Sequence, residues 1–287
     1  MGALTFITYT FISKWEDVKV SISEFDWPIL IPILVLMMVN WCLESVKWKQ
    51  IVAPLEKINF TQAVSGVLSG LSIGIFTPNR IGNFIGRVYY LKSDNRIKGS
   101  LLTVYANFSQ FIATLIFGSI GLLLFYLGGT DQDFQLKHSG LVLTFAGLLI
   151  IASIIVYIKP ERFGRWIQKV IRHKKVSEVL KTLPLIKDRT RLSVILLSFL
   201  RYIIFTLQFT WLIVSQENES DFVIIWIGVT IVYLITSIIP SPFLGKIGIR
   251  ESVSIFVFST IGIAEPQILV ASCLLWIINL VLPSIIG

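Results

Sequence analysis

At 287 residues, with 54% hydrophobic side chains, 13% aromatic and a mean hydropathy of +0.79, the chain lies outside the composition of a water-soluble globular protein. Its formal charge of +8 would suit nucleic acid or a membrane surface, and the distribution of that charge decides between them. Of the 25 Lys and Arg, 11 fall in 159–191 against three acids, whereas 216–221, QENESD, is acidic; this asymmetry belongs to loops on opposite sides of a bilayer, and no nucleic-acid-binding module accompanies it.

Crossing a hydrocarbon core about 30 Å thick takes roughly 20 apolar helical residues, and that ruler divides the chain. Residues 1–13 are apolar but short of that length and lack the basic start of a secretory signal, so they read as a poorly defined first span. Residues 13–27, SKWEDVKVSISEFDW, hold four acids and two lysines and read as an amphipathic segment at the outer interface. Clear spans are expected at 28–46, 99–127, 139–158, 192–215 and 267–286. Cys42 and Cys273 both fall in apolar stretches, as thiols packed like small hydrophobes, with no disulfide framework and no Cys-based metal site.

Two further apolar regions, 60–91 and 222–264, are interrupted by glycine, proline and charge. In the first, 83–91 amounts to only about 13 Å of helix and cannot return across a bilayer, so a re-entrant hairpin is the economical solution. Its tip must lie in protein or in a wet cavity, because lipid satisfies no freed backbone groups. With 159–191 taken as cytoplasmic, this hairpin enters from the cytoplasm with Lys47, Lys49, Lys57, Lys92, Arg96 and Lys98 at its base. The second then enters from outside. The expected fold is therefore an all-α polytopic membrane protein, a single integral membrane domain over 1–287 with about six transmembrane helices and two re-entrant helical hairpins. Half 1–127, containing 60–91, and half 139–287, containing 222–264, would form an inverted repeat. In the competing topology 222–240 spans fully and PSPFLGKIGIR lies on the cytoplasmic side.

The two tips echo each other. FTPNRIGNFIGR carries Pro78, Gly82, Gly86 and Arg87; IPSPFLGKIGIR carries Pro242, preceded by Pro240, then Gly245, Gly248 and Arg250. The prolines sit where a helix would stop, and the glycines allow close backbone approach. A buried charge costs roughly 2.5–3.5 kcal/mol even on a lenient scale, so Arg80, Arg87, Lys246, Arg250 and Glu251 need partners. Glu251 is the only acid beside these cations, which leaves an excess of positive charge that calls for an anion; guanidinium forks and helix N-termini both suit phosphate. The expected ligand is a phosphate-bearing lipid head group. Snorkelling to an interface is the plainer account of the four cations, and simple neutralisation of Arg250 that of Glu251, whose functional role would be a gate or proton-linked switch.

Gly66, Gly70 and Gly74 repeat a G-x-x-x-G spacing, which fits close helix packing or a face along which another element slides. Asn107, Gln110, Arg201, Gln208 and Asn279 are polar groups in apolar spans, either bonded between helices or lining a polar path. In 159–191, Phe163, Trp166, Ile167, Val170 and Ile171 recur at helical spacing among cations, an amphipathic helix on an anionic cytoplasmic leaflet.

TPNRIGNFIGRVYYLK and PSPFLGKIGIRESVSIFVFSTIGI resemble the paired motifs of the lysylphosphatidylglycerol synthase transmembrane region, or flippase-like domain family, and the likeness extends over about 30–286. The resemblance implies movement of a phospholipid between leaflets of a bacterial cell inner membrane, with Arg87 and the Arg250–Glu251 pair as first site candidates and Arg80 and Lys246 next. The aminoacyl-transferase domain of bifunctional members does not fit in 287 residues, so lipid synthesis is not implied. Asn83 stands where relatives often have an acid, and VYANFSQF replaces a stretch that often carries Glu and Arg, so the lipid need not be lysylated.

The reading is a lipid transporter for an anionic or aminoacylated phospholipid or a polyprenyl-phosphate-type lipid, bound in a cationic midplane cavity. It has membrane lipids as partners, no nucleic acid, no cofactor and no metal; a homo-oligomer is left open. No G-x-x-x-x-G-K-[ST] motif occurs, so drive would come from a proton or sodium gradient or from substrate concentration. The alternatives are a membrane-embedded head-group transferase or phosphatase and a non-transporting partner subunit. An enzyme would want a nucleophile with a base, or a metal cluster, and His138 and His173 fall in opposite loops.

Overall fold

The structure is a computed structural model that describes residues 13–77, 81–128, 139–171, 173–216, 221–239 and 245–287, with the side chains of 139–143 and 245–247 outside the description. The expected first span at 1–13 therefore lies outside the described residues, save Ser13. In chain order the helices are α1 (Trp15–Ser23), α2 (Leu30–Val52), α3 (Phe60–Ile75), α4 (Gly82–Val88), α5 (Arg96–Gly128), α6 (Ser139–Ile158) and α7 (Pro160–Val170). They continue with α8 (Lys174–Leu180), α9 (Asp188–Val214), α10 (Phe222–Ile238), α11 (Gly245–Ser259), α12 (Glu265–Trp276) and α13 (Leu282–Ile286). No strand occurs among the described residues.

Among the described residues, four helical stretches are long and apolar enough to cross a membrane: Trp27–Val52, Ser93–Gly128, Asp188–Val214 and Glu265–Ile286. A fifth is reached if Thr144–Ile158 and Pro160–Val170 count as one span, although they meet at 92°. Proline explains that bend, since Pro160 cannot donate to the preceding turn and starts a new helix at its first position. The expected spans end too early where they meet charge. α2 continues to Val52, past Lys47 and Lys49, and Lys47 is buried in the helix instead of lying at a loop. The basic connection is also not one helix. It breaks at Ile171, whose extended backbone (ψ 92°) separates α7 from α8.

Helix ends are set by local chemistry. Asn59 and Gln62 form a reciprocal cap at the start of α3: Asn59 Oδ1 accepts from the Gln62 N–H at 2.7 Å, and Gln62 Oε1 accepts from the Asn59 N–H at 2.9 Å. Asp221 caps α10 by accepting the Val223 N–H at 2.8 Å. Gly262, at φ +86°, makes the turn before α12 in the left-handed region that other residues resist. Pro283 removes an N–H from the last helix, and the chain there widens to a π turn over Ile277–Val281.

Contacts divide the chain into two compact units, the first holding described residues within Met1–Met38, Thr114–Ala146 and Ile203–Leu282, the second those within Val39–Ala113, Gly147–Tyr202 and Pro283–Gly287. In the first, Phe258 packs edge-on against Phe209, with ring centroids 6.3 Å apart, and lies over Gly228. Gln216 and Gln267 each donate to the other's carbonyl, at 3.1 and 3.0 Å, and Lys14 pairs with Glu265 at 2.8 Å. Cys42 and Cys273 are free, Cys42 on an exposed face and Cys273 half-buried.

The second unit contains the α3–α4 hairpin. A Cβ at Gly70 would stand 2.6 Å from Asn83 Oδ1 and 2.8 Å from the Asn83 carbonyl; one at Gly86 would stand 2.5 Å from the Ser69 carbonyl. Gly70 and Gly74 of the glycine stripe are thus consumed by close packing on Asn83 within the hairpin, while Gly66 faces Trp48. Thr77 closes its turn by accepting the Gly82 N–H at 2.7 Å. Beside it, Trp48 lies against Gly66 and donates to Thr103 at 3.1 Å. Tyr105 stacks on Tyr157 with ring centroids 4.8 Å apart. Glu56 ties the loop after α2 to the hairpin's exit, accepting the Lys92 N–H at 3.0 Å and the Asn95 amide at 3.2 Å.

Gly70→Val should destabilise the protein by about 1–3 kcal/mol through overpacking against Asn83, read as a lowered melting temperature in detergent. Gly147→Ala, where a Cβ meets nothing within 4 Å, should be close to neutral. The Lys92 N–H, and next the Asn95 amide, hold the Glu56 carboxyl below its ordinary range. Its contribution is therefore complete above the unfolded carboxylate pKa of about 4.3 and fades as pH falls through the lower folded value. The melting difference between the protein and Glu56→Gln should accordingly close on acidification, because a protonated Glu56 and a glutamine are alike.

Candidate functional site

The second unit gathers charge around one acid. Glu44 sits on α2 a turn before Lys47, and both side chains are buried, with 4% and 0% exposed. Lys47 Nζ lies 2.8 Å from Glu44 Oε2. Arg201 of α9 pairs with the same oxygen through Nη1, while Arg87 of α4 pairs through Nη1 with the other oxygen, Oε1. Two carboxylate oxygens thus serve three cations. The charge count is +3 against −1 in surroundings where an isolated ion would be expensive.

Amides hold the two guanidiniums on their other edges. Arg87 Nε donates to Asn83 Oδ1 at 2.7 Å, one helical turn earlier on α4. Arg201 Nε donates to Asn40 Oδ1 at 2.7 Å, and its Nη1 reaches Gln110 Oε1 at 3.4 Å. Ser198 and Ser109 share a hydrogen bond at 2.6 Å beside Lys47, whose Nζ is 3.5 Å from Ser198 Oγ. Of the four charged members, Arg201 is the most open, with 14% of its side chain exposed.

This cluster brings together Arg87, Asn83, Gln110 and Arg201, which the sequence singled out separately. Glu44 and the inward role of Lys47 were missed. Their signal is local: an acid three residues before a lysine on an apolar helix, the spacing at which the two share a face. It corrects the expectation that Glu251 alone stands beside the cations.

The first unit has a smaller constellation on α11 and α12. Arg250 Nη2 lies 2.7 Å from Glu251 Oε1 and donates to the Ser272 carbonyl at 2.8 Å, while its Nε donates to Ser272 Oγ at 3.1 Å. The Ser272 hydroxyl in turn donates to Glu251 Oε1 at 2.8 Å. Glu251 is 1% exposed, and its Oε2 has no hydrogen-bond partner among the described residues. Adjacent opposite charges here form a neutral, serine-braced pair. Gly245 begins α11 and Gly248 is buried within it.

Other singled-out residues fall elsewhere. Gln208 donates from Nε2 to the Ile33 carbonyl at 2.9 Å, an interhelical bond in the first unit, and Asn279 bonds back to Leu275 of its own helix at 3.3 Å. Asn107 is half-buried on α5. Gly82 and Gly86 lie in the hairpin packing, a Cβ on Gly82 meeting the Ile73 carbonyl at 2.5 Å. Pro78, Arg80, Pro240, Pro242 and the Lys246 side chain are outside the described residues.

Among the described residues the chain is all-helical, with apolar spans and a buried cluster rich in arginine. No curated protein and no solved structure matches the chain. The sequence model of one family, Lysylphosphatidylglycerol synthase TM region, matches residues 2–287. The chain therefore belongs to the Lysylphosphatidylglycerol synthase TM region family of membrane proteins.

Proposed function

We propose that the protein moves a phosphate-bearing lipid between membrane leaflets, with Arg87 and Arg201 as the head-group contacts. The observation that carries this reading is the buried cluster of three cations on the single carboxylate of Glu44. Excess positive charge placed among apolar helices is costly unless it serves an anion, and two guanidiniums turned toward one point suit a phosphate better than any neutral ligand. Arg250 and Glu251 serve as a second polar station, with the unsatisfied oxygen of Glu251 available to a proton. This is transport rather than head-group chemistry, driven by an ion gradient or by lipid concentration. The bacterial cell inner membrane is the proposed location, and hairpins α3–α4 and α10–α11 are the proposed re-entrant elements added to the spanning helices.

The proposed orientation puts the basic connection 159–191 in the cytoplasm. Phe163 and Trp166 stack with centroids 5.9 Å apart and, with Val170, stay exposed on α7 among Arg162, Arg165 and Lys169, as suits a helix lying on an anionic leaflet.

In liposomes containing fluorescent phosphatidylglycerol, an Arg87→Ala, Arg250→Ala double variant that purifies as a folded species should lose at least about tenfold of the transfer rate. Unchanged transfer would rule the reading out. In a background lacking Cys42 and Cys273, a cysteine placed by Lys175→Cys, an exposed position on α8, should react with an impermeant maleimide in inside-out vesicles and not in intact cells.

A further inference from the structure

The Glu44 cluster is built so that its carboxylate can be exchanged. Both guanidiniums are oriented by neighbours other than Glu44: Asn83 takes the Nε edge of Arg87, and Asn40 takes that of Arg201, each at 2.7 Å. Their Nη groups therefore converge on one point whether or not that carboxylate fills it. The two oxygens are also divided in function. Oε1 engages Arg87 of the hairpin, and Oε2 engages Arg201 and Lys47. Lys47 stands on the same helix as Glu44, three residues on, so the acid can keep this partner without any change in α2. Withdrawal of Glu44 onto Lys47 would leave a neutral pair and two guanidiniums carrying +2. That is the charge and the paired donor geometry that a phosphate monoester or diester complements.

We propose that Glu44 is an internal counter-ion standing in for a phosphate between Arg87 and Arg201, and that an incoming phosphate group displaces it onto Lys47. The proposal rests on the reading of this cluster as the head-group site, and it adds the competitor, the place the competitor goes, and Arg201 as an equal partner of Arg87. Arg201, the most open of the four charged members, is the side from which the anion arrives. As the Glu44 oxygens withdraw, phosphate oxygens accept from the same guanidinium N–H groups, so the buried arginines are never both without an anion.

Binding to purified protein in detergent tests the exchange without requiring transport. Two probes are used, inorganic phosphate and dihexanoyl-phosphatidylglycerol, each titrated by calorimetry and by thermal shift. Glu44→Gln removes the competitor and should tighten binding of at least one probe by about tenfold or more. Lys47→Met removes the retreat while leaving the bridge, and should weaken the same probe by a similar factor. Arg201→Gln should abolish binding in both backgrounds. Tightening for phosphate and lipid alike identifies the bare phosphate group as what is read; tightening for the lipid alone adds the glycerol moiety. If Glu44→Gln does not fold, Glu44→Asp, whose shorter arm cannot bridge both guanidiniums, should show a smaller tightening. Affinities unchanged from the wild type for both probes, in Glu44→Gln or in its Asp substitute, overturn the exchange, as does an unchanged Lys47→Met. Loss of transfer in the double arginine variant alongside unaltered Glu44→Gln binding would sink the exchange and leave the transport reading standing.

Discussion

Glu44 is where the long-range order of the second unit is settled. Its carboxylate joins α2 to α9 through Arg201 and α2 to the hairpin through Arg87, and it secures Lys47 within its own helix. Removing one partner from a buried ion pair costs about 3–5 kcal/mol, a large part of the roughly 5–15 kcal/mol that holds an ordinary domain together. Three elements distant in sequence thus depend on a single side chain. Apolar burial in the same unit, as of Trp48, Ile51 and Leu102, is non-directional and would tolerate other registers; the ion pairs would not.

The hairpin supplies the second constraint. Arg87 reaches Glu44 only because α4 lies against α3 at backbone distance, and that distance exists because Gly70 and Gly86 offer no side chains where the helices meet. Asn83 then has two duties, filling the space beside Gly70 and accepting from Arg87. An acid at this position would add a second negative charge to the cluster, so the asparagine keeps its excess at +2 where an acid would leave +1.

Much of the helical content was legible in the chain, because apolar length sets helices and the glycine, proline and charge within 60–91 and 222–264 mark regions that no single helix spans. The ends of α2 were not, because a lysine in an apolar helix reads as a boundary until its acid is known. The bend at Pro160 was visible as a proline and passed over as the edge of a loop. In the site, residue type picked out Gln110 and Arg201 as polar groups among hydrophobes, the charged hairpin tip picked out Arg87, and the resemblance to a family that often has an acid there picked out Asn83. Their meeting at Glu44 was not readable, because contacts between positions 44, 87 and 201 depend on how three helices pack and leave no periodic trace. Arg250 and Glu251 were legible as neighbours, whereas the bracing by Ser272 was not.

Backbone-to-backbone packing in the hairpin has a mechanical consequence. Side chains can absorb a displacement by changing rotamer, but carbonyls and α-carbons at van der Waals distance have no such slack. α3 and α4 thus pack as a pair with little room to slide, with Arg87 on the second helix and Tyr89, Tyr90 and Leu91 immediately beyond. A displacement of α4 therefore has to be shared by α3, since the glycine contacts leave no side chain between them to repack.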